Sequence, residues 1–493
     1  MPMLSKDQFD AYAAAGFNRI PVVREVLSDL DTPLSVFLKL ADAPYSYLFE
    51  SVEGGSRWGR HSIIGLPARL VLKVYGTRIV EEDEGVIVAE REVADPLAEL
   101  ELIKARYKVP AIEGLPKFHG GWVGYFGYEC ARYVEPKLKA FTNEDCLGMP
   151  DICLMLAEEL AVFDNLRGKL FLIVNVDPSD PRAYARAVRR LDTLARRLRQ
   201  SGAAYPELVD GTAIDESHFV SSFPKPEYLK AIEKSKEYVL AGDVFQVQIS
   251  QRLSVPYRAR PLDVYRALRG LNPSPYMYFI DLGSEQIVGS SPEILVRAQG
   301  GQVVVRPIAG TRRRGRTEAE DIEMEKELLA DPKERAEHLM LIDLGRNDVG
   351  RIAETGSVKV TEQMIIERYS HVMHIVSEVV GKIKPGVNFM NVLRATFPAG
   401  TLTGAPKVRA MEVIAELEPV KRGVYGGAVG YWGWDDQADL AIAIRTAVIK
   451  DGMLHVQAAG GVVADSVPEL EWKETMNKGR ALFRAVSEAA GGL

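Results

Sequence analysis

The sequence predicts an α+β protein whose strands pair through hairpins, and three observations support this. Apolar runs at 160–164 and 169–176 are separated only by Asn165-Leu166-Arg167-Gly168, a length typical of a hairpin loop. Lys450-Asp451-Gly452 separates two further apolar runs, and Asp-Gly is a strong hairpin signal. Helical segments follow the strands and do not alternate with them one by one, which favours α+β over βαβ repeats.

The first third of the chain is rich in predicted strands. Leu70–Tyr75 is an apolar run that Gly76 ends. The stretch Gly120–Tyr128 combines glycine with aromatic residues, and glycine there permits close backbone approach or a positive φ. From about Pro181 to Gln200, apolar residues recur at helical spacing and arginines occupy the other face. This pattern predicts an amphipathic helix.

The main boundary is predicted between Ser201 and Pro224, where Gly, Ser, Asp and Pro are scattered without periodicity. It separates an N-terminal domain, residues 1–210, from a C-terminal domain, residues 225–493. The second domain also mixes hairpins with helices. Its predicted hairpin strands are Ile294–Val296 with Val303–Val305, and Ala447–Ile449 with Leu454–Gln457.

Composition excludes several functional classes. The 493 residues include 61 Lys and Arg and 68 Asp and Glu, a net charge of −7, which argues against nucleic-acid binding. No apolar run reaches the ~18 residues that a membrane span needs, so no membrane association is expected. The three cysteines fit no zinc spacing, and the N-terminus has no apolar secretory segment. We therefore expect a reduced, cytoplasmic setting.

Two predicted helix starts carry paired glutamates. Asp331-Pro332 has the pattern of an N-cap followed by proline, and Glu334 and Glu337 are three residues apart on one helix face. A second helix start carries Glu471 and Glu474 at the same spacing. Such carboxylates can simply complement the helix dipole. Their recurrence instead favours convergence on one hard cation, Mg²⁺ or Ca²⁺.

Other segments are ambiguous on their own. Arg445 lies in the otherwise apolar run Leu440–Val448, which is predicted to be one strand, and a buried arginine needs an anion, either a structural carboxylate or a bound ligand. Gly460 and Gly461, predicted to follow the next strand, could offer N–H groups to the same anion. His374 is either a satisfied core residue or a functional one. The basic turn Pro307–Gly315 offers N–H groups and guanidinium groups to carboxylates, or is a solvated loop. Pro398–Lys407 fails the spacing of a phosphate-binding loop, so we reject nucleotide binding.

Six motifs in a fixed order carry a family resemblance. They are Pro307–Arg312 (PIAGTR), Asp331–His338 (DPKERAEH), Leu344–Asp348 (LGRND), Gly404–Lys407 (GAPK), Tyr425–Gly430 (YGGAVG) and Glu471-x-x-Glu474-x-x-x-Lys478. Together they resemble the chorismate-utilising enzymes, and within them the anthranilate synthase component I branch. The resemblance covers residues 225–490 strongly and reaches the N-terminal part through Leu48–Ser51 and Gly120–Tyr128.

The resemblance implies a fold and a reaction. The implied fold has two antiparallel β-sheets packed as a sandwich with helices outside. The implied reaction converts chorismate and ammonia to anthranilate and pyruvate with Mg²⁺, the first committed step of tryptophan biosynthesis. A lysine that activates water in relatives is replaced here by Gln246, which favours an amine nucleophile. Ala309, where aminodeoxychorismate synthases carry lysine, favours the anthranilate branch.

The resemblance also implies residue roles. Glu293 matches the general acid that protonates the departing ring hydroxyl, and burial with nearby carboxylates would raise its pKa. His374 matches the histidine of the pyruvate-elimination step, and Thr401 is a third implied catalytic residue. The implied metal site is Glu337 and Glu474, with Glu334 and Glu471 holding metal-bound waters. The implied substrate-binding residues are Gly310, Thr311, Tyr425, Arg445, Gly460 and Gly461.

Feedback regulation by L-tryptophan is implied by further segments. The implied tryptophan-binding residues are Glu50, Ser51, Pro275, Tyr276, Met277, Val429, Gly430 and Tyr431. Ser51 is suited to hydrogen-bond the ligand amine, and Pro275, Tyr276 and Met277 to pack on an indole. Without the resemblance, a core strand and a proline-rich turn explain the same residues.

The expected ammonia source is a separate glutamine amidotransferase subunit, component II, because no cysteine here lies in a Gly-x-Cys-x-Gly turn. Two alternatives remain open at this stage. One is aminodeoxychorismate synthase component I, and the other is a catalytically silent, tryptophan-binding regulatory subunit.

Overall fold

The computed structural model describes residues 3–51, 60–200, 213–369 and 372–492. The helices within these residues are α1 Lys6–Ala14, α2 Pro33–Leu40, α3 Pro96–Lys104, α4 Ala131–Val134, α5 Ala183–Leu198, α6 Lys225–Leu240, α7 Pro261–Leu271, α8 Glu318–Ala330, α9 Pro332–Ile352, α10 Phe389–Thr396, α11 Lys407–Leu417 and α12 Pro468–Gly491. None of them is both long and apolar enough to cross a membrane.

The strands belong to two sheets. The first contains β1 Ile20–Leu27, β2 Ser46–Glu50, β3 His61–Gly65, β9 Glu159–Asp164, β10 Lys169–Val176, β11 Val220–Ser221, β12 Gln246–Pro256, β13 Tyr276–Asp281, β14 Glu285–Ser291, β20 Gly404–Ala405, β23 Thr446–Lys450 and β24 Met453–Val462. The second contains β4 Leu70–Tyr75, β5 Arg78–Asp83, β6 Val86–Glu92, β7 Gly121–Phe126, β8 Ile152–Ala157, β15 Ile294–Gln299, β16 Gln302–Val305, β17 Ile308–Arg313, β18 Lys359–Arg368, β19 Val372–Lys382, β21 Ala428–Gly433 and β22 Ala438–Ile442.

Local sequence signals account for several elements. In α5, Ala187, Leu191, Leu194 and Leu198 lie buried on one face, as the predicted helix over 181–200 requires. The predicted hairpin loops at 165–168 and 450–452 join β9 to β10 and β23 to β24. Helix α9 begins after Asp331, whose Oδ1 accepts hydrogen bonds from the N–H groups of two first-turn residues. These predictions are confirmed.

Both sheets are antiparallel and mix strands from the two halves of the chain. The first runs β1-β10-β9-β3-β2-β13-β14-β23-β24-β12-β11, with β20 beside β12. The second runs β17-β19-β16-β15-β22-β21-β7-β8-β4-β5-β6, with β18 beside β19. Strands before and after residues 201–212 therefore share each sheet. Residues 201–212, at the predicted domain boundary, lie outside the described residues, and the division at 1–210 and 225–493 stays a prediction.

The sheets pack face to face, and helices cover their outer faces. Tyr47 and Tyr278 of the first sheet share one buried cluster with Val123, Tyr125 and Val429 of the second. The outer face of the first sheet packs on α2, α5, α7 and α12, and that of the second on α3, α9 and α10. This arrangement confirms the predicted α+β sandwich.

The glycine-rich segment 120–128 contains β7, which pairs with β21 in the second sheet. Gly124 lies opposite Gly430, and a β-carbon at either position would come within 2.0–2.1 Å of a neighbouring carbonyl oxygen. Both glycines also have positive φ, 155° and 157°. Glycine is therefore required here by close packing and by backbone conformation.

Two sequence interpretations are wrong in detail. The apolar run Leu440–Val448 is not one strand, because β22 ends at Ile442 and β23 begins at Thr446. Arg445 lies in the connection between them with a φ of 51°. Gly460 and Gly461 do not follow a strand but lie within β24.

Candidate active site

The two glutamate-bearing helices converge on the same strand pair, β12 and β24. Gln246 at the start of β12 donates from Nε2 to Oε1 of Glu337 on α9, at 2.9 Å. Gly461 of β24 packs against this amide, since a β-carbon there would lie 2.6 Å from Gln246 Nε2. A β-carbon on Gly460 would lie 2.7 Å from Oε2 of Glu471 on α12. The carboxylates of both helices therefore border one cleft at the edge of the first sheet.

The four predicted metal-site glutamates have different partners. Glu334 accepts a hydrogen bond from Arg312 at 3.0 Å, and Glu474 one from Lys478 at 2.6 Å. Oε2 of Glu471 is buried and has no hydrogen-bond partner among the described residues. Within those same residues, no three acidic, histidine or cysteine side chains lie close enough together to hold a metal ion. The observation that fits a hard cation such as Mg²⁺ is therefore the single buried oxygen of Glu471 that has no hydrogen-bond partner among the described residues.

Glu293 has the environment of a carboxylic acid that keeps its proton. It lies just beyond β14, is 6% exposed, and accepts a hydrogen bond on Oε1 from Thr401 Oγ1 at 3.0 Å. Burial raises its pKa to about 8, and the hydrogen bond from Thr401 and, more weakly, the positive charge of Lys478 oppose this shift. The expected direction is confirmed, but burial causes it and no neighbouring carboxylate contributes appreciably.

Thr401 reaches Glu293 from a short 3₁₀ turn, Gly400–Leu402. The sequence around it resembles a phosphate-binding loop only superficially. Its hydroxyl has a defined acceptor in the Glu293 carboxyl, so the turn positions the acid.

The basic turn predicted over Pro307–Gly315 is largely strand β17, which carries Gly310 and Thr311 and pairs with β19. His374 on β19 lies beside these two residues, which are predicted to line the ring pocket. Its Nδ1 is 3.1 Å from the carbonyl oxygen of Gly310 and 3.0 Å from the hydroxyl of Thr311. Because a carbonyl only accepts, this geometry places the proton on Nδ1 and leaves Nε2 as an acceptor. Burial lowers the pKa of His374 to about 4, so the imidazole is neutral at pH 7. Gly310 also adjoins the glutamates, since a β-carbon on it would lie 3.2 Å from Glu334 Oε2.

Arg445 places a positive charge in the cleft, and no described carboxylate side chain is paired with it. Its Nη1 donates to the carbonyl oxygen of Lys478 at 3.1 Å, and no described carboxylate forms a salt bridge with it. Burial lowers its pKa, while the nearby Tyr425 and Glu474 oppose that effect. A buried guanidinium with free donors is suited to an external anion.

Tyr425, Gly460 and Gly461 border the same region. Burial raises the pKa of Tyr425 to about 12, so it keeps its phenolic proton. Strand β23 stops pairing with β24 at Val456, so both glycines have a ladder partner only on the β12 side. Just before these glycines, the carbonyl oxygen of Ala459 accepts a hydrogen bond from Lys478 at 2.9 Å.

A second cavity lies between the sheets, away from the cleft. It has a volume of about 270 Å³. All eight residues predicted to bind tryptophan line it: Glu50, Ser51, Pro275, Tyr276, Met277, Val429, Gly430 and Tyr431. The Glu50 carboxylate accepts hydrogen bonds from Arg269 at 3.0 Å and from Tyr265.

Comparison with known proteins identifies the family. A family model described as chorismate binding enzyme matches residues 63–484. The chain belongs to the chorismate-binding enzyme family. Among curated proteins, it is 58% identical to anthranilate synthase component 1 of Pseudomonas aeruginosa over 487 residues, which cover 99% of each chain. It is 56% identical to anthranilate synthase component 1 of Neisseria meningitidis serogroup A over the full length of both.

Two solved structures share this fold. Anthranilate synthase component I from Streptococcus pneumoniae superposes with a TM-score of 0.77 and 35% identity, covering 93% of this chain and 99% of that one. The menaquinone-specific isochorismate synthase from Escherichia coli superposes with a TM-score of 0.70 at 18% identity, covering 98% of each. At 18% identity, the second comparison supports a shared fold and nothing more.

Sequence reasoning missed several residues of this chorismate-binding family member. In the cleft it named Arg312 and Lys478 only as members of motifs, although both contact predicted metal-site glutamates. In the second cavity it missed Arg60, Lys117, Phe118, Arg297 and Asp439. The ring centroids of Phe118 and Tyr431 are 4.4 Å apart. The missed cavity residues come from distant segments of the chain and share no motif. Only the fold brings them together.

Proposed function

We propose that this protein is the large component of an anthranilate synthase, which converts chorismate and ammonia to anthranilate, pyruvate and water. The observation that carries the proposal is the 56–58% identity, over nearly the whole chain, to proteins named anthranilate synthase component 1. The cleft supports an amine nucleophile, because Gln246 occupies the position of a water-activating lysine and its amide is bound to Glu337.

In the first step, Glu293 donates its proton to the ring hydroxyl of chorismate, which leaves as water. Ammonia adds to the ring at the carbon next to the carboxylate-bearing carbon. Thr401 holds the carboxyl group in place through its hydrogen bond to Oε1. Because burial keeps Glu293 protonated, it can act as an acid near neutral pH.

In the second step, Nε2 of His374 removes the ring proton from the amine-bearing carbon. The C–H electron pair becomes part of the aromatic ring, the neighbouring C–O bond breaks, and enolpyruvate leaves and takes up a proton to give pyruvate. The neutral imidazole, with its Nδ1 proton directed to Gly310, is suited to this role.

Substrate binding relies on two groups of residues. Arg445, Tyr425 and the backbone of Gly460 and Gly461 would hold the enolpyruvyl carboxylate. Glu337 and Glu474, with Glu334 and Glu471 around them, would hold Mg²⁺. The ion would supply positive charge for the ring carboxylate, which four glutamates would otherwise repel.

The relatives' name, component 1, supports a partner component that supplies ammonia. We propose a separate glutamine amidotransferase subunit, because none of Cys130, Cys146 and Cys153 lies in a suitable nucleophile turn.

The direct test is incubation of the purified chain with chorismate, MgCl₂ and an ammonium salt, with products identified by mass spectrometry. We expect anthranilate and pyruvate in equal amounts. An aminochorismate product without pyruvate would favour aminodeoxychorismate synthase instead. Binding of tryptophan without turnover would favour a regulatory subunit.

The pKa of Glu293 predicts the alkaline limb of the pH profile. Only the protonated acid is active, so kcat/KM for chorismate should fall as pH rises through about 8. Well above that pH the loss approaches about tenfold per unit, as for a single ionisation. The measurement runs from pH 6.5 to 9.5 at constant free ammonia. A profile that stays flat to pH 9.5 would contradict this assignment.

We also propose that L-tryptophan binds in the cavity between the sheets. Phe118 and Tyr431 provide an aromatic wall for an indole, while Glu50 and Lys117 provide charges of both signs for an amino acid.

Ser51→Ala is expected to weaken tryptophan binding by about 10- to 150-fold, because a hydrogen bond to a charged amine contributes about 1.5–3 kcal/mol. Isothermal titration calorimetry with tryptophan measures the change. The control is Ser217→Ala, which removes an exposed hydroxyl outside the cavity lining and should leave the dissociation constant unaltered. Equal affinities for both variants would remove Ser51 from the site.

A further inference from the structure

Glu367 and His374 are direct cross-strand neighbours. Glu367 lies on β18 and His374 on β19, and their Cα atoms are register partners in this antiparallel pair. Side chains at such positions project from the same face of the sheet, with β-carbons about 4.5–5.5 Å apart. The Glu367 carboxylate is therefore placed beside the imidazole that the proposed second step uses.

Two hydrogen bonds orient that carboxylate. Its Oε1 accepts from Nη1 of the buried Arg306 at 2.6 Å, and its Oε2 accepts from the hydroxyl of Tyr369 at 3.0 Å. Tyr369 in turn contacts His374, with the rings edge to face and their centroids 5.5 Å apart. Arg306, Glu367, Tyr369 and His374 thus form one continuous series of contacts.

Hydrogen bonds to its backbone hold Tyr369 just after the end of β18. Its N–H donates to the carbonyl oxygen of Val372 at 2.8 Å, and its own carbonyl accepts from Arg314 at 2.8 Å. The side chain borders a cavity of about 280 Å³ together with Arg306, Glu367 and Pro292. The hydrogen bond to Glu367 is one of the contacts that place the ring.

We propose that Glu367 and Tyr369 are positioning residues that hold His374 in line for proton removal in the elimination step. The inference rests on the proposed function and adds residues that act through the histidine without touching substrate. Gly310 and Thr311 anchor the Nδ1 side of the ring. Tyr369 contacts the ring independently of those bonds, so that Nε2 faces the proton to be removed.

The test separates the two chemical steps by measuring chorismate consumption, anthranilate, and released amino intermediate in the same reaction. The variants are Tyr369→Phe, Tyr369→Leu and Glu367→Gln. We expect the ratio of released intermediate to anthranilate to rise about tenfold or more in Tyr369→Leu and Glu367→Gln, since a misplacement of ~1 Å can cost ~10²-fold in rate. Tyr369→Phe keeps the ring contact and should show a smaller rise. Chorismate consumption should stay within about threefold of wild type, a factor worth less than ~1 kcal/mol.

Two controls match the altered groups. Glu362→Gln removes a carboxylate that also accepts from Arg306 at 2.6 Å, and it should keep the wild-type product ratio. Tyr238→Phe removes a hydroxyl that donates to Glu416 at 2.6 Å on the surface, and it too should keep that ratio.

The possible failures are distinguishable. An unaltered ratio in Tyr369→Leu and Glu367→Gln, or a parallel loss of both products, would overturn the positioning role. If Tyr369→Leu does not fold, the decision rests on Tyr369→Phe and Glu367→Gln. A wild-type chain that consumes no chorismate would instead overturn the proposed function.

Discussion

Glu293→Gln is expected to lower the rate of chorismate consumption by about 10²–10⁴-fold, the range for removing a general acid. Glutamine has nearly the same shape, and its amide oxygen can still accept the hydrogen bond from Thr401. It has no proton to transfer, so the ring hydroxyl would have to leave as hydroxide. Because the amide is neutral, as the protonated acid is, folding should be preserved. Initial rates at saturating ammonium and Mg²⁺ measure the effect.

The matched control for this variant is Glu285→Gln. Glu285 is also buried, at 4% exposure, and it begins the same strand, β14, that Glu293 follows. The length of β14 alone, at ~3.3 Å per residue, separates Glu285 from the Glu293 end of the strand by roughly 20 Å, so Glu285 cannot reach the same substrate atom. We expect near wild-type turnover from Glu285→Gln. More than a tenth of wild-type activity in Glu293→Gln would mean that another group is the acid.

Glu474→Ala is expected to abolish Mg²⁺-dependent turnover while leaving the melting temperature close to that of wild type. The side chain is 45% exposed, so its loss leaves no buried cavity. It also leaves Lys478 without its carboxylate partner, which puts a free ammonium group beside the proposed cation site. Loss of a direct ligand should weaken Mg²⁺ by more than the ~10–100-fold typical of outer-shell partners. Calorimetric titration with Mg²⁺ and initial rates over a range of MgCl₂ measure both effects.

Glu469→Ala serves as the control on the same helix. Glu469 lies in the first turn of α12, is 54% exposed, and pairs with Lys225 at 2.7 Å outside the cleft. The Glu469→Ala variant should bind Mg²⁺ with the same affinity as the wild-type protein. Magnesium-dependent turnover that survives Glu474→Ala would show that the metal assignment is wrong.

Elements determined by neighbouring residues were predictable. Helix α5 follows from apolar residues at helical spacing, and the β23–β24 hairpin follows from Asp451-Gly452. The start of α9 follows from Asp331 and Pro332, because an N-cap acceptor and a proline at the first helical position act within one turn. Each signal is complete within a few residues, so no knowledge of the rest of the chain is required.

Elements that depend on distant partners were not predictable. The run Leu440–Val448 has the pattern of one buried strand, yet the chain bends at Arg445 and changes sheets, from β22 in one to β23 in the other. The hydrophobic pattern is the same on both sides of the bend, so it carries no sign of the change. Lys117 and Phe118 were missed for a related reason, since they enter the second cavity from a segment without a motif.

The sequence by itself determined the chemical groups of this protein: two glutamate pairs, an acid at 293, a histidine at 374 and glutamine at 246. Only the tertiary structure decided their charge states and partners. Glu293 and Glu474 have the same side chain, but Glu293 is buried with a hydroxyl donor while Glu474 is half exposed beside an ammonium group. The physical reason is desolvation, which depends on the atoms that surround a carboxylate and not on its neighbours in sequence.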